Sequence, residues 1–194
     1  AEAQGLGATQ VIPHGIPDDF ATAAPPDRAG FVHLGSIAHH KGTDRVVRAW
    51  REACPQASQG LSLHGPIVDA AAALDHPIGA TLDRAGVAQA LASARALVLA
   101  PRWSENAPLV VLEARASGCP VIAPRTGGFE EMITPGRDGW LFDPDDPDGL
   151  SKAMRAAATG PLPTPLAPPS LSEQVDATEA IYLRLCGDKS TPCD

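Results

Sequence analysis

Two glutamates, Glu105 and Glu113, are separated by seven residues in the run SENAPLVVLEA, Ser104 to Ala114. Glu105 stands just before Asn106-Ala107-Pro108, which marks the entrance of a helix, and Glu113 lies inside that helix. The helix PLVVLEARASG is largely apolar, so a lone carboxylate within it calls for a polar partner such as a hydroxylated ligand. The first amides of such a helix have no internal acceptor, although Pro108 removes one of them. A third residue of interest is Lys41, which follows Gly35-Ser36-Ile37-Ala38-His39-His40 and precedes Gly42. A mobile ammonium at a helix start suits an anion such as phosphate, and Gly35 permits a sharp exit from a strand and close approach of a ligand. The spacing is not that of a Walker loop. Taken singly, each residue has a plainer reading as a turn glycine, a solvated lysine or a capping carboxylate; it is their company that points to chemistry.

The elements that must position these residues can be read from the pattern. Short apolar runs bounded by turn residues predict strands at Phe31–Leu34, Leu61–His64, Leu97–Ala100, Val121–Ala123 and Trp140–Phe142. Between them, three-and-four spacing predicts helices at Thr43–Ala53, Arg84–Ala94, Pro108–Ser117 and Pro147–Ala158. Strict alternation of strand and helix implies parallel pairing through crossovers, hence an α/β fold with a doubly wound, Rossmann-like parallel sheet. Ligands of such sheets bind at the carboxyl ends of the strands. There the loops Gly35–Gly42, Gly65-Pro66, Pro101–Asn106 and Arg125–Gly128 converge on one rim. Residues 161–170 form a Pro-rich connector, and a C-terminal helix over 171–186 has an apolar face of Val175, Ala177, Ile181, Tyr182 and Leu185. The expected division is 1–20 as a junction segment, 21–160 as the main domain, then the connector, the helix and a tail at 187–194.

Composition narrows the function classes. The 194 residues are 44% hydrophobic, enough for a real core, and the formal charge of -8 argues against a broad basic face for nucleic acid. No apolar run reaches the roughly 18 to 20 residues of a spanning helix. The N-terminus has neither the basic segment nor the apolar core of a signal peptide. Cys54, Cys119, Cys186 and Cys193 form no CxxC pair, which reads as cytosolic thiols, buried or inert, rather than zinc ligands or disulfides.

The run SENAPLVVLEA, continued by SGCPVIAPRTGGFEEMI and GRDGWLFDPDDPDGL, resembles the carboxyl-terminal domain of the group-1, family-4 retaining glycosyltransferases of GT-B fold. VIPHGIPDDF is similar to their interdomain segment, FVHLGSIAHHKG carries their Gly and Lys-Gly, and Tyr182 lies near the end of a closing helix. The resemblance covers nearly the whole chain. It implies that Lys41 contacts the diphosphate of a nucleoside diphosphate sugar, of UDP or GDP type, that Glu113 bonds the ribose, and that Glu105 holds the donor sugar. Amides of Asn106, Ala107, Pro108 and Leu109 would fall beside sugar or phosphate, with only Pro108 lacking the N–H, and Gly35, Ser36 and Gly65 would line the donor site. Lys41 and Glu105 are the catalytic candidates. The implied reaction is hexosyl transfer to an acceptor hydroxyl with retention, by front-face attack, with no metal and no cofactor beyond the donor. The acceptor domain of the family, an N-terminal Rossmann-like half, is absent from this chain, so the chain by itself would bind donor and transfer little. The resemblance places the protein in the cytoplasm, at the inner face of the membrane where the missing domain takes it there.

Some residues depart from the family. Ser36 stands where Arg is frequent, leaving His39, His40 or Arg102 as the substitute cation, and His14 stands where Asn is common, a turn substitution. The run Asp143 to Asp148 looks like a metal site, yet Asp followed by Pro reads as a helix cap. Glu130 and Glu131 after Gly127-Gly128 resemble the family's GGxxE turn and read as a helix start. Ser36 in place of Arg also suits an alternative, a non-catalytic nucleotide-sugar-binding or assembly module. The base, donor sugar, acceptor and oligomeric state are not written in the sequence.

Overall fold

A computed structural model describes residues 10–17, 27–54 and 60–187. Strands β1 (Phe31–Leu34), β2 (Leu61–His64), β3 (Ile78–Gly79), β4 (Ala96–Val98), β5 (Val121–Pro124) and β6 (Gly139–Phe142) form one sheet in the order β3-β2-β1-β4-β5-β6. Every neighbouring pair is parallel. Helices α1 (Thr43–Ala53), α2 (Arg84–Ser93), α3 (Leu109–Ala116), α4 (Gly128–Met132) and α5 (Gly149–Thr159) connect or follow the strands. The order reverses between β1 and β4, so loops leaving these two adjacent strands run to opposite faces and open a crevice between them.

The alternation of side chains along the strands builds the two layers. Phe31, Leu63, Val98 and Ile122 point to one face and pack with Val46, Val47, Leu150 and Met154, where α1 and α5 lie together. Helices α2 and α3 pack against each other and touch β1 and β5 respectively. All four residues of β1 and of β5 are buried, as expected for central strands covered on both sides.

The chain divides into two compact units, Asp19–Ala167 and Ala1–Asp18 with Pro168–Asp194. The first holds the sheet and α1 to α5. In the second, Ile16 pairs with Ser170 and its amide donates to Pro169 O (3.0 Å), while Gly15 N donates to Gln174 Oε1 (2.7 Å) of helix α6, Leu171–Gly187.

Several boundaries differ from the sequence reading. β4 spans Ala96–Val98 rather than Leu97–Ala100, because its ladder partners end at Val98, although Leu99 and Ala100 stay buried. β3, α4 and a 3-10 turn at Ala70–Ala73 were not expected; each is too short to show periodicity. α5 begins at Gly149, not Pro147. Asp143 Oδ1 accepts from Asp145 N (2.9 Å) and Asp146 Oδ1 from Asp148 N (3.0 Å), two turns that delay the helix. Asp148, the residue at the cap position, makes no side-chain cap bond, so the capping expected of this run is carried by turns ahead of the helix. On α6, Val175 and Tyr182 are exposed, and Ala177 and Ile181 are half-buried. Cys54 and Cys119 are buried, and burial pushes the Cys119 thiol up to about 12, but Cys186 is exposed; Cys193 lies outside the described residues. No helix among the described residues is long and apolar enough to cross a membrane.

Candidate functional site

The loop after β1 is fixed at both ends. Gly42 has φ +72°, and a Cβ there would collide with the Ala100 carbonyl, so only glycine lets the start of α1 lie against the backbone just past β4. Beneath the loop, His33 Nδ1 lies 2.9 Å from Val98 O and Nε2 lies 3.2 Å from Thr43 Oγ1. A carbonyl only accepts, so Nδ1 carries the proton, and Nε2 accepts from the Thr43 hydroxyl. That hydroxyl oxygen in turn accepts from Ala38 N (3.2 Å). Complete burial pulls the His33 pKa down, the bond to Val98 opposes this, and the Lys41 charge adds to the lowering, so the ring sits neutral in the network.

The loop after β4, Pro101 to Pro108, faces the first across the reversal. Arg102 donates from Nη1 and Nη2 to the two carboxylate oxygens of Asp44 (2.7 and 2.8 Å) and also to His39 O. Asp44 is buried at the start of α1; burial pushes its carboxyl up, but the Arg102 guanidinium outweighs this and holds it below the usual range. Trp103, 46% exposed, stacks on His40 with ring centroids 4.6 Å apart. Ser104 Oγ meets Thr126 Oγ1 (3.1 Å), and Gly128 N donates to Glu105 O (2.8 Å). A Cβ on Gly128 would collide with Asn106 O, which explains the paired glycines ahead of α4: they bring that turn against the backbone beside Glu105.

Between these loops, Lys41 Nζ lies 2.7 Å from Glu105 Oε1 and 5.0 Å from the centre of the Trp103 ring. Trp103 Nε1 donates to the same oxygen (2.8 Å). Burial raises the Glu105 pKa, but these two donors and the nearby Lys41 and His40 charges bring it below the ordinary value. Glu113 behaves in the opposite way. It is half-buried in α3, its carboxylate bonds to no described residue, and burial raises its pKa against a weaker pull from Arg84.

Lys41, Glu105 and Glu113 line one cleft of about 380 Å³ at the carboxyl ends of the strands. Gly35, Gly65, Pro66, Pro108 and Leu109 line it too, while Ser36, Asn106 and Ala107 do not. The apolar wall is Leu82, Val87, Leu99, Val110 and Phe129. Thr81 and Leu82, which follow β3, and His64, whose Nδ1 donates to Ala80 O (2.9 Å), belong to the lining but were not singled out from sequence. The two-residue β3 concealed the first pair, and His64 read only as a strand end.

None of the three proposed substitutes for the missing Arg lines the cleft. Arg102 is committed to Asp44, His39 lies 3.4 Å from Asp44 and 3.7 Å from Asp69, and His40 is stacked on Trp103. Among the described lining residues, Lys41 is the one Lys or Arg. Glu130 and Glu131 fall in the first turn of α4, outside the lining; Phe129 of that turn reaches it. His14 is exposed. Among the described residues, no three His, Cys, Asp or Glu side chains are grouped to hold a metal.

Residues 28–159 match the family described as Glycosyl transferases group 1. The chain is 32% identical over 169 residues to a D-inositol 3-phosphate glycosyltransferase of Nocardioides, covering 72% of this chain and 37% of that protein. It is 29% identical over 218 residues to the lipopolysaccharide core biosynthesis mannosyltransferase LpcC of Rhizobium leguminosarum, covering 92% and 60%. The chain thus spans less than two thirds of either relative. Among solved structures, sucrose-phosphate synthase from Thermosynechococcus elongatus superposes with a TM-score of 0.72 at 20% identity, over 95% of this chain and 54% of that one. Anabaena Alr3699/HepE, in complex with UDP and glucose, superposes with a TM-score of 0.67 at 15% identity, over 92% and 57%. The reversed parallel sheet is therefore the Rossmann-like domain found in GT-B glycosyltransferases, and by its family match the chain belongs to the group 1 glycosyl transferases.

Proposed function

We propose that the cleft binds the nucleoside diphosphate sugar of a retaining, metal-independent hexosyl transfer, completed by an acceptor domain outside this chain. One observation carries the reading: a cation and a half-buried carboxylate that bonds to no described residue line the same cleft. Lys41 and the first amides of α3 suit a departing diphosphate. Glu113 suits a ribose hydroxyl, whose donation would compensate a desolvated carboxylate. Glu105 suits the hydroxyls of the sugar. The capture of UDP and glucose by the HepE structure supports the class of ligand. In front-face transfer the sugar leaves the diphosphate as the acceptor oxygen arrives on the same side, and stabilising the leaving anion is then the main task on the donor side.

The charge balance favours weak binding by this chain alone. Lys41 already pairs with Glu105, and Glu113 adds a second carboxylate, so among the described lining residues an incoming diphosphate meets no surplus of positive charge. Calorimetric titration with UDP, GDP and ADP, with chelator and no added metal, tests the reading. Binding of one nucleotide in the micromolar to millimolar range, weakened by Lys41→Ala and by Glu113→Ala, is the expected result. Absence of binding to the folded chain and to a full-length protein would refute it. A second reading, a non-catalytic nucleotide-sugar module, is favoured by the commitment of Arg102 to Asp44, which leaves the Ser36 position without a replacement cation. Donor binding without transfer by the full-length protein would select it.

A further inference from the structure

Glu105 is held by two donors on one oxygen. Lys41 Nζ and Trp103 Nε1 both reach Oε1, at 2.7 and 2.8 Å, and Oε2 bonds to no described residue. The two donors differ in what an anionic ligand does to them. A diphosphate competes for the Lys41 ammonium, whereas a neutral indole N–H, a single donor in fixed ring geometry, is a poor prize for it. If Lys41 were the only tether, ligand binding would release the carboxylate into its own rotamers just as it is needed.

We propose that Trp103 is a positioning residue whose indole N–H keeps Glu105 in place while Lys41 turns to the diphosphate, leaving Oε2 to accept from the sugar. This rests on the donor-site reading above. The geometry supports a latch rather than a core residue. Trp103 is 46% exposed, so its ring adds little to the buried core. Its two sequence neighbours are anchored, Arg102 through its amide to His40 O (3.0 Å) and its guanidinium to Asp44, and Ser104 through Thr126. The ring itself rests on His40 and under the Lys41 ammonium. Every contact aims the N–H at Glu105.

Trp103→Phe keeps a ring for the stack and the cation and removes only the donor. Two readouts on the full chain test the role. The first is the Trp103 indole NH resonance between pH 3 and 8, assigned by its loss in Trp103→Phe. It should show a step in the carboxylate range that disappears in Glu105→Gln. The second is calorimetry with UDP against UDP-glucose and GDP against GDP-mannose. Trp103→Phe should weaken the sugar nucleotide about fivefold to tenfold and leave the nucleotide within about twofold. Lack of a carboxylate step, equal losses for nucleotide and sugar nucleotide, or a wild-type chain that gains nothing from the sugar would each overturn the proposal. If no nucleotide binds either the wild-type chain or a full-length protein, the donor-site reading fails, and the indole titration alone decides whether Trp103 holds Glu105.

Discussion

Lys41 and Glu105, 64 residues apart in sequence, meet at 2.7 Å where the loops after β1 and β4 face each other. The pair joins the two sides of the crevice and at the same time neutralises the cation that a phosphate would use. Removing the carboxylate charge should therefore free the lysine. Glu105→Gln is expected to tighten binding of the bare nucleotide by about threefold to fivefold, as one repulsive charge leaves a partly screened site. Calorimetry on the variant checks it, and an unchanged or weaker affinity would mean that the pair does not compete with the anion.

Glu113 should show the opposite trade. Its raised pKa means that the folded state favours the proton, so the charged form disfavours folding above the ordinary carboxylate pKa, and this is relieved as pH falls. Glu113→Gln should leave the unliganded chain as stable or more stable at neutral pH, by under about 1 kcal/mol, and weaken nucleotide binding about tenfold. Thermal melts with and without nucleotide separate the two effects.

Acid should loosen the β1 loop in two windows. His33 has a lowered pKa, so the stability of its neutral form is present above the unfolded value near 6.5 and is lost as pH falls below it toward the folded pKa. Asp44 also has a lowered pKa, so its contribution is present above the unfolded carboxylate value and is lost as pH falls through the folded one. Thr43→Val, which removes the hydroxyl between His33 and Ala38, should cost about 1–2 kcal/mol and flatten the first window. Denaturant melts from pH 7 to 2 measure both; a variant with the wild-type pH profile would remove His33 from the account.

The glycines beside Glu105 make a steric prediction. Gly128→Ala places a Cβ against Asn106 O, backbone that cannot swing aside, so destabilisation of about 3 kcal/mol or more is expected. Gly60→Ala, where a Cβ meets nothing within 4 Å, should stay within about 0.5 kcal/mol. Parallel urea melts make the comparison, and equal midpoints would show that the turn yields.

The parts that sequence disclosed are those with a long signal. Helix α1 has eleven residues of regular spacing and was legible to the residue, as were β1 and β2. Lys41, Glu105 and Glu113 could be found because each is a charge in an apolar or glycine-marked setting. What stayed hidden depends on pairing across the fold. His33 looked like one residue of a strand until Val98 and Thr43 closed around it. Arg102 could equally have faced a ligand, and only the buried carboxylate of Asp44 beneath it decided otherwise. Thr81 and Leu82 follow a strand of two residues, too short for any pattern.

The Pro-rich stretch also determines where the sheet unit can be cut. Leu166 N donates to Asp138 Oδ1 (3.2 Å), and Leu166 O accepts from Arg115 Nε (3.0 Å). Asp138 is fully buried beside the start of β6, and Arg115 belongs to α3, the helix that carries Glu113. Leu166 thus acts as a clasp between the far edge of the sheet and the helix behind the cleft. Trimming at Gly160, one residue past the end of α5, would strip a donor from a buried carboxylate and an acceptor from that arginine. A version ending after Ala167 keeps both, and is the shorter piece to express when the cleft is to be studied by itself.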